Sequence, residues 1–219
     1  MEKIMFNLST PHGDKLTALL SNNKLPSIDK ISIQNATERY KKWKKDLDDV
    51  NSDIKILVNQ MVALLNAYKR YIDVDIIFDS RENFLYRQKG QLKLDNSIIE
   101  EFLPILVTKF FSESLKNQEL YFGPKQCFSS LQFESALHSI SKGGGMSIRK
   151  KDQDFAISRK IFIQTSHYQD FRDSLSELTY IAYIAAECKT NLDKTMFQEG
   201  AATAQDIKSS VPGAKYFLI

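Results

Sequence analysis

The chain has 219 residues, of which 42% are hydrophobic and 11% aromatic, enough to bury the core of one large domain or two small ones. A formal charge of +3 does not by itself diagnose a nucleic-acid or membrane partner, and no apolar run approaches the roughly 20 residues that span a bilayer. Two cysteines, Cys127 and Cys188, are too few for a disulfide framework and lack zinc-site spacing, while His12, His138 and His167 are too scattered for a histidine-built metal centre. The first residues carry no export signal, so a cytoplasmic location is expected.

Along the chain, Lys15 to Leu20 reads as a short helix ended near Asn22 and Asn23. From Ser32 to about Asp73 the apolar residues Ile33, Ala36, Tyr40, Trp43 and Leu47, then Ile54, Leu57, Met61, Leu64, Leu65 and Tyr68, recur at three- and four-residue spacing. That is two helices, with Asp48, Asp49, Asn51 and Ser52 between them. Val74 to Phe84 is compatible with a strand or a helix end. Ser97 to Leu115 is helical again, with Pro104 placed where a helix begins or kinks. The N-terminal half is therefore mostly α, and Lys41, Lys42, Lys44 and Lys45 on its second helix are candidate phosphate contacts.

A turn is expected at Tyr121-Phe122-Gly123-Pro124, then a helix over Ser129 to Ile140 and a tight loop at Gly143-Gly144-Gly145. The glycine run is not followed by Lys-Ser/Thr and does not read as a nucleotide-binding loop. Strands are expected at Phe155 to Thr165 and Leu178 to Lys189, paired antiparallel. That pairing brings Asp152-Gln153-Asp154 beside Glu187-Cys188-Lys189. Alternation along each strand puts Glu187 and Lys189 on one face, and Asp152 and Asp154 on one face. Close carboxylates repel unless a cation lies between them, and oxygen donors with few other ligands suit Mg²⁺. Asp154 and Glu187 are the candidate ligands. Lys189 is placed to orient a water or to offset charge developing on a phosphodiester. The spacing Asp-x(32)-Glu-x-Lys is that of the PD-(D/E)xK nucleases, with Gln153 in place of the usual proline.

The run Ala186-Glu187-Cys188-Lys189-Thr190-Asn191-Leu192-Asp193-Lys194-Thr195-Met196-Phe197-Gln198-Glu199, continuing through Val211-Pro212-Gly213-Ala214-Lys215-Tyr216, resembles the Bpu-ten-I family of type II restriction endonucleases. So do Lys150-Lys151-Asp152-Gln153-Asp154-Phe155, Pro11-His12-Gly13-Asp14-Lys15-Leu16, Lys24-Leu25-Pro26 and Arg39-Tyr40-x-x-Trp43. The resemblance implies an α/β (α+β) protein: a helical N-terminal region over residues 1–122 for DNA contact or dimerisation, and a PD-(D/E)xK core over 123–219 with a central mixed sheet flanked by helices. It implies Mg²⁺-dependent, sequence-specific hydrolysis of double-stranded DNA at a site of the CCTNAGC kind, within a bacterial restriction-modification system. The expected assembly is a homodimer or a heterodimer with a related subunit.

The catalytic set carried over is Asp154, Glu187 and Lys189, with Asp152, Gln198 and Glu199 as possible accessories. The apolar ending Tyr216-Phe217-Leu218-Ile219 reads as the start of a buried strand, so the core is expected to be truncated at its C-terminus. The alternative reading is a catalytically inactive DNA-binding or assembly subunit of such an enzyme.

Overall fold

The computed structural model describes residues 8–115, 119–189 and 192–219; Thr190 and Asn191 of the resembling run lie outside the described residues. The chain divides into two compact units, Met1–Ser112 and Glu113–Ile219. Among the described residues, no helix is long and apolar enough to cross a membrane.

The first unit is helical: α1 (Pro11–Leu20), α2 (Ser27–Asp49), α3 (Ile54–Arg70), α4 (Phe84–Leu92) and α5 (Asn96–Leu115), the last running on into the second unit. Pro11 opens α1, where its missing N–H has no helical partner to lose. Ile33, Ala36, Trp43 and Leu47 form the buried stripe of α2, and Leu57, Met61 and Tyr68 that of α3. The segment left open between strand and helix end is helical. Residues Tyr71–Phe78 continue α3 as a π-helix, whose wider turn brings Ile72 and Ile77 to one side with Ile76 beside them, all buried. Pro104 lies inside α5, and the departure from helical angles comes later, at Phe111.

Opposite α1, the fully buried carboxylate of Glu101 on α5 organises a polar network. Its Oε2 accepts the backbone N–H groups of His12 (3.1 Å) and Gly13 (3.4 Å), and its Oε1 accepts the Tyr40 hydroxyl (2.6 Å) and the Lys44 ammonium (2.7 Å). A carboxylate at the first turn of α1 satisfies donors that the helix cannot pair internally and complements its dipole. His12 lies between Leu94 O, Ser97 Oγ and the Tyr68 hydroxyl, at 3.0, 3.0 and 2.9 Å. Burial pulls its pKa down to about 3, so the ring is neutral. A Cβ on Gly13 would lie 2.7 Å from the Tyr40 hydroxyl, so the close approach of α1 to α2 requires glycine there. The histidine, the glycine and the aromatic pair of the N-terminal resemblance thus serve one buried contact.

The second unit is a four-stranded sheet, β1 (Leu120–Phe133), β2 (Met146–Thr165), β3 (Leu175–Glu187) and β4 (Lys215–Leu218), in that spatial order. β1–β2 and β2–β3 are antiparallel; β4 runs parallel to β3 after the crossover helix α6 (Lys194–Ser210), so the sheet is mixed. Asp193 caps α6 by accepting the Met196 N–H at 2.8 Å. Beneath it Ala156, Ala182 and Ala185 form, with Cys127, Ile207 and Ala214, a small-residue core that lets the helix sit close to the sheet.

Two expectations need correction here. The helix over Ser129 to Ile140 does not form: β1 runs to Phe133, and its register to β2 extends from Leu120↔Arg159 to Phe133↔Met146. The apolar residues that mimicked helical spacing have no core to face, Leu137 being 90% and Ile140 79% exposed. Nor does the chain reverse at Gly123-Pro124. These residues lie within β1, where Gly123 adopts φ +122° at a register shift, a position that tolerates the missing proline N–H. The glycine loop is a one-turn 3₁₀ element, Lys142–Gly145, and a Cβ on Gly143 would stand 2.6 Å from that of Leu175. The apolar C-terminal segment is a strand, though only half-buried, with Phe217 51% exposed.

Candidate active site

Ala156 pairs with Ala185, and Asp154 and Glu187 lie two residues on, just past Phe155↔Ala186, the last pair of the ladder. Residues directly opposite in an antiparallel pair present their side chains on one face, here the face that carries α6. β4 fixes the end of β3: the Lys189 N–H donates to Ile219 O (2.8 Å) and the Ile219 N–H to Glu187 O (3.0 Å). The edge strand therefore holds Glu187 and Lys189 in extended register beyond the last β2 pairing.

The side chains converge. Glu187 Oε1 accepts the Lys189 ammonium at 2.6 Å, and Oε2 accepts the Tyr216 hydroxyl at 2.8 Å. Asp154 Oδ2 accepts the Cys188 N–H at 2.8 Å, which ties the two strands across the site. Burial acts to raise the pKa of Glu187, but the hydrogen bonds from Lys189 and Tyr216 and the charges of Lys189 and Lys151 outweigh it, so the carboxyl titrates below its ordinary value. The Lys189 pKa moves up, chiefly through its bond to Glu187 against partial burial, with help from Asp154 and Glu199. Burial, the bond to Glu187 and the surrounding negative charge push the Tyr216 hydroxyl well above the ordinary phenol range. At neutral pH Glu187 is a carboxylate, Lys189 an ammonium and Tyr216 an intact phenol.

The structure joins Asp154, Glu187 and Lys189 but leaves Asp152 apart. Lys151 ion-pairs with Asp206 of α6 at 3.4 Å, so the next residue, Asp152, is directed away from that helix and is exposed opposite Gln126. The register shift between Gly123↔Ala156 and Lys125↔Gln153 inserts one extra residue in β2, and this bulge breaks the alternation that would have put Asp152 and Asp154 on one face. Gln198 and Glu199 are both exposed near the start of α6; Glu199 acts on Lys189 through its charge. Their neighbour Gly200 is buried: a Cβ there would meet Leu218 at 3.4 Å and Glu187 Oε2 at 3.8 Å.

Tyr216 and Gly200 were not singled out from sequence. Tyr216 stood inside the resembling run, but only the parallel pairing of Ala185 with Tyr216 shows that its hydroxyl reaches Glu187.

Of the four lysines expected to contact phosphate, Lys44 is held at 2.7 Å by the buried carboxylate of Glu101. Lys41 pairs with Glu38 at 2.7 Å on the exposed surface, and Lys42 and Lys45 are exposed.

Asp154 and Glu187 on adjacent strands, the latter already holding the Lys189 ammonium at 2.6 Å, form an oxygen donor set that fits a divalent metal. Among the described residues no group of three or more His, Cys, Asp or Glu side chains is placed to hold one, so water or backbone oxygen has to complete the coordination.

Residues 91–219 match the Bpu10I restriction endonuclease family. Comparison with curated proteins gives no match. Among solved structures, the chain is similar to one described as the native BbvCI A2B2 tetramer at low resolution, with TM-score 0.66 and 20% identity over 97% of this chain and 74% of that one. At that identity the likeness concerns the fold.

Proposed function

The chain belongs to the Bpu10I restriction endonuclease family and is a type II site-specific endonuclease, and from that premise we propose that Asp154, Glu187 and Lys189 are its cutting centre, acting with Mg²⁺ on double-stranded DNA. The observation that carries this reading is the convergence of the three side chains at the junction of β2 and β3, with Lys189 against Glu187 and Asp154 tied to Cys188. Asp154 and Glu187 are the metal ligands. Bound there, the ion would supply charge against the phosphodiester oxygens and a water of lowered pKa.

The chain's own residues prepare that reaction. Asp154 is oriented by the Cys188 N–H and Glu187 by the Tyr216 hydroxyl, so neither carboxylate has to be ordered when substrate arrives. The Lys189 ammonium, held beside Glu187, is the group that would offset the charge building on the phosphate in the transition state or orient the attacking water.

In this reading the recognition site is of the CCTNAGC kind, the enzyme works in the bacterial cytoplasm, and Lys41, Lys42 and Lys45 remain candidate backbone contacts. One chain carries one such centre, and cutting both strands takes two, so the working assembly pairs this chain with a second copy or a related subunit. The A2B2 description of the BbvCI structure supports a multi-subunit arrangement.

Digestion of a plasmid carrying many short sites tests the reading. Discrete fragments are expected with Mg²⁺, and none with EDTA or with Ca²⁺ alone, the chain being supplied with its related subunit where it does not cut by itself. Fragments that persist in EDTA remove the metal from the proposal.

A further inference from the structure

Further along β2 and β3, on the same face as the candidate active site, lies a second group of charged side chains. Tyr121 and Tyr180 meet edge to face with ring centroids 5.2 Å apart. Lys125 Nζ stands 4.1 Å from the Tyr180 ring centre and 5.3 Å from that of Tyr121, and Lys160 Nζ is 5.7 Å from the Tyr121 ring.

The strand register fixes the face. Tyr121 and Lys125 alternate with Cys127 on β1, and Tyr180 alternates with Ala182 on β3; Cys127 and Ala182 both lie in the core beneath α6. Lys160 pairs directly with Tyr180. Glu187 follows Ala185 of that core at the same spacing, so both groups share one surface.

Charge balance distinguishes this patch from the ion-paired cations. Lys41 is paired with Glu38, Lys44 with Glu101, Lys189 with Glu187, and Arg149 and Lys151 with Asp206. Among the described residues, Lys125 and Lys160 have no acidic partner; both are held by aromatic faces. A ring quadrupole attracts an ammonium and restrains its long stem without cancelling its charge. Two restrained, uncompensated cations bracketing one ring suit a repeated anion better than a single counter-ion.

We propose that Lys125 and Lys160 are a backbone clamp that grips the phosphodiester chain of the DNA duplex away from the scissile bond. The assignment rests on the reading of Asp154, Glu187 and Lys189 as the cutting centre. Lys160 lies six residue steps along β2 from Asp154, about 20 Å at strand rise. That is roughly six base pairs of duplex at 3.4 Å each. Contacts of this kind set register and affinity and read no base, so the clamp lengthens the DNA the enzyme needs without changing the sequence it cuts.

Binding of a labelled duplex in Ca²⁺, measured by anisotropy from about 50 to about 200 mM salt, tests it, because each phosphate contact contributes about 0.9 to the salt slope. The double variant Lys125→Gln, Lys160→Gln is expected to lose about two units of slope, and Lys125→Arg with Lys160→Arg to restore it. An unchanged slope in the glutamine variant, at unchanged thermal midpoint, overturns the clamp. Glu187→Gln separates the two readings: it is expected to keep the wild-type slope while losing cleavage. If Glu187→Gln cuts as wild type and the glutamine double variant still loses slope, the cutting centre is misassigned and the clamp stands as a DNA contact.

Discussion

Glu187→Gln is expected to slow DNA cleavage by on the order of 10³-fold while leaving duplex binding in Ca²⁺ nearly intact. Such a loss corresponds to about 4 kcal/mol of transition-state stabilisation. The substitution keeps the size of the side chain and an oxygen for the Tyr216 hydroxyl, so the β3–β4 pairing that carries the site is undisturbed. It removes one of the two anionic donors proposed for the metal and the charge that holds Lys189. Lys189→Met is expected to cost as much in rate but to spare metal binding, since the lysine acts on the phosphate. The two effects should not add, because residues that act on one reacting group fail together. Single-turnover cleavage by each variant and by the double variant measures this; a loss below about tenfold in Glu187→Gln is incompatible with a role as metal ligand.

Glu101→Ala is expected to destabilise the helical unit by about 3–5 kcal/mol. Its carboxylate is fully buried and satisfies four donors at once: two N–H groups at the start of α1, the Tyr40 hydroxyl and the Lys44 ammonium. Alanine leaves all four without that acceptor and opens a cavity beside neutral His12. For a unit of about a hundred residues this lowers the thermal midpoint by more than about 10 °C. Lys44→Met is expected to cost less than about 2 kcal/mol, because Glu101 keeps the hydroxyl and both helix N–H groups. Far-UV circular dichroism during thermal unfolding reads both. A Glu101→Ala shift no larger than that of Lys44→Met contradicts the network as the anchor of α1.

The contrast between these residues shows what a sequence reveals and what it hides. Helices with a buried stripe at three- and four-residue spacing, such as α2 with Ile33, Ala36, Trp43 and Leu47, announce themselves because packing repeats along the element. The hairpin of β2 and β3 was legible for the same reason, and with it the juxtaposition of Asp154 and Glu187.

What failed was set by partners distant in sequence. β1 was misread because Leu131, Phe133, Leu137 and Ile140 imitate a helical face, whereas Leu131 and Phe133 pair with a strand that starts at Met146 and Leu137 and Ile140 lie beyond β1, exposed. The bulge in β2 breaks a parity that alternation takes for granted, which is why Asp152 was placed on the same face as Asp154 and kept as a possible accessory. Lys44 looked like a free cation because its acid, Glu101, lies 57 residues away. Tyr216 was hidden likewise: its role appears only when a parallel strand returns to β3.

Asp152 and Asp154 therefore offer the sharpest test of the central claim. The measurement is the single-turnover rate of duplex cleavage in Mg²⁺ for Asp152→Asn and Asp154→Asn, side by side with wild type. Loss of cutting in Asp154→Asn, with Asp152→Asn close to wild type, is the predicted result. Loss in Asp152→Asn with cutting retained in Asp154→Asn would contradict the account, because it would place the metal on the face of the sheet away from Glu187 and Lys189.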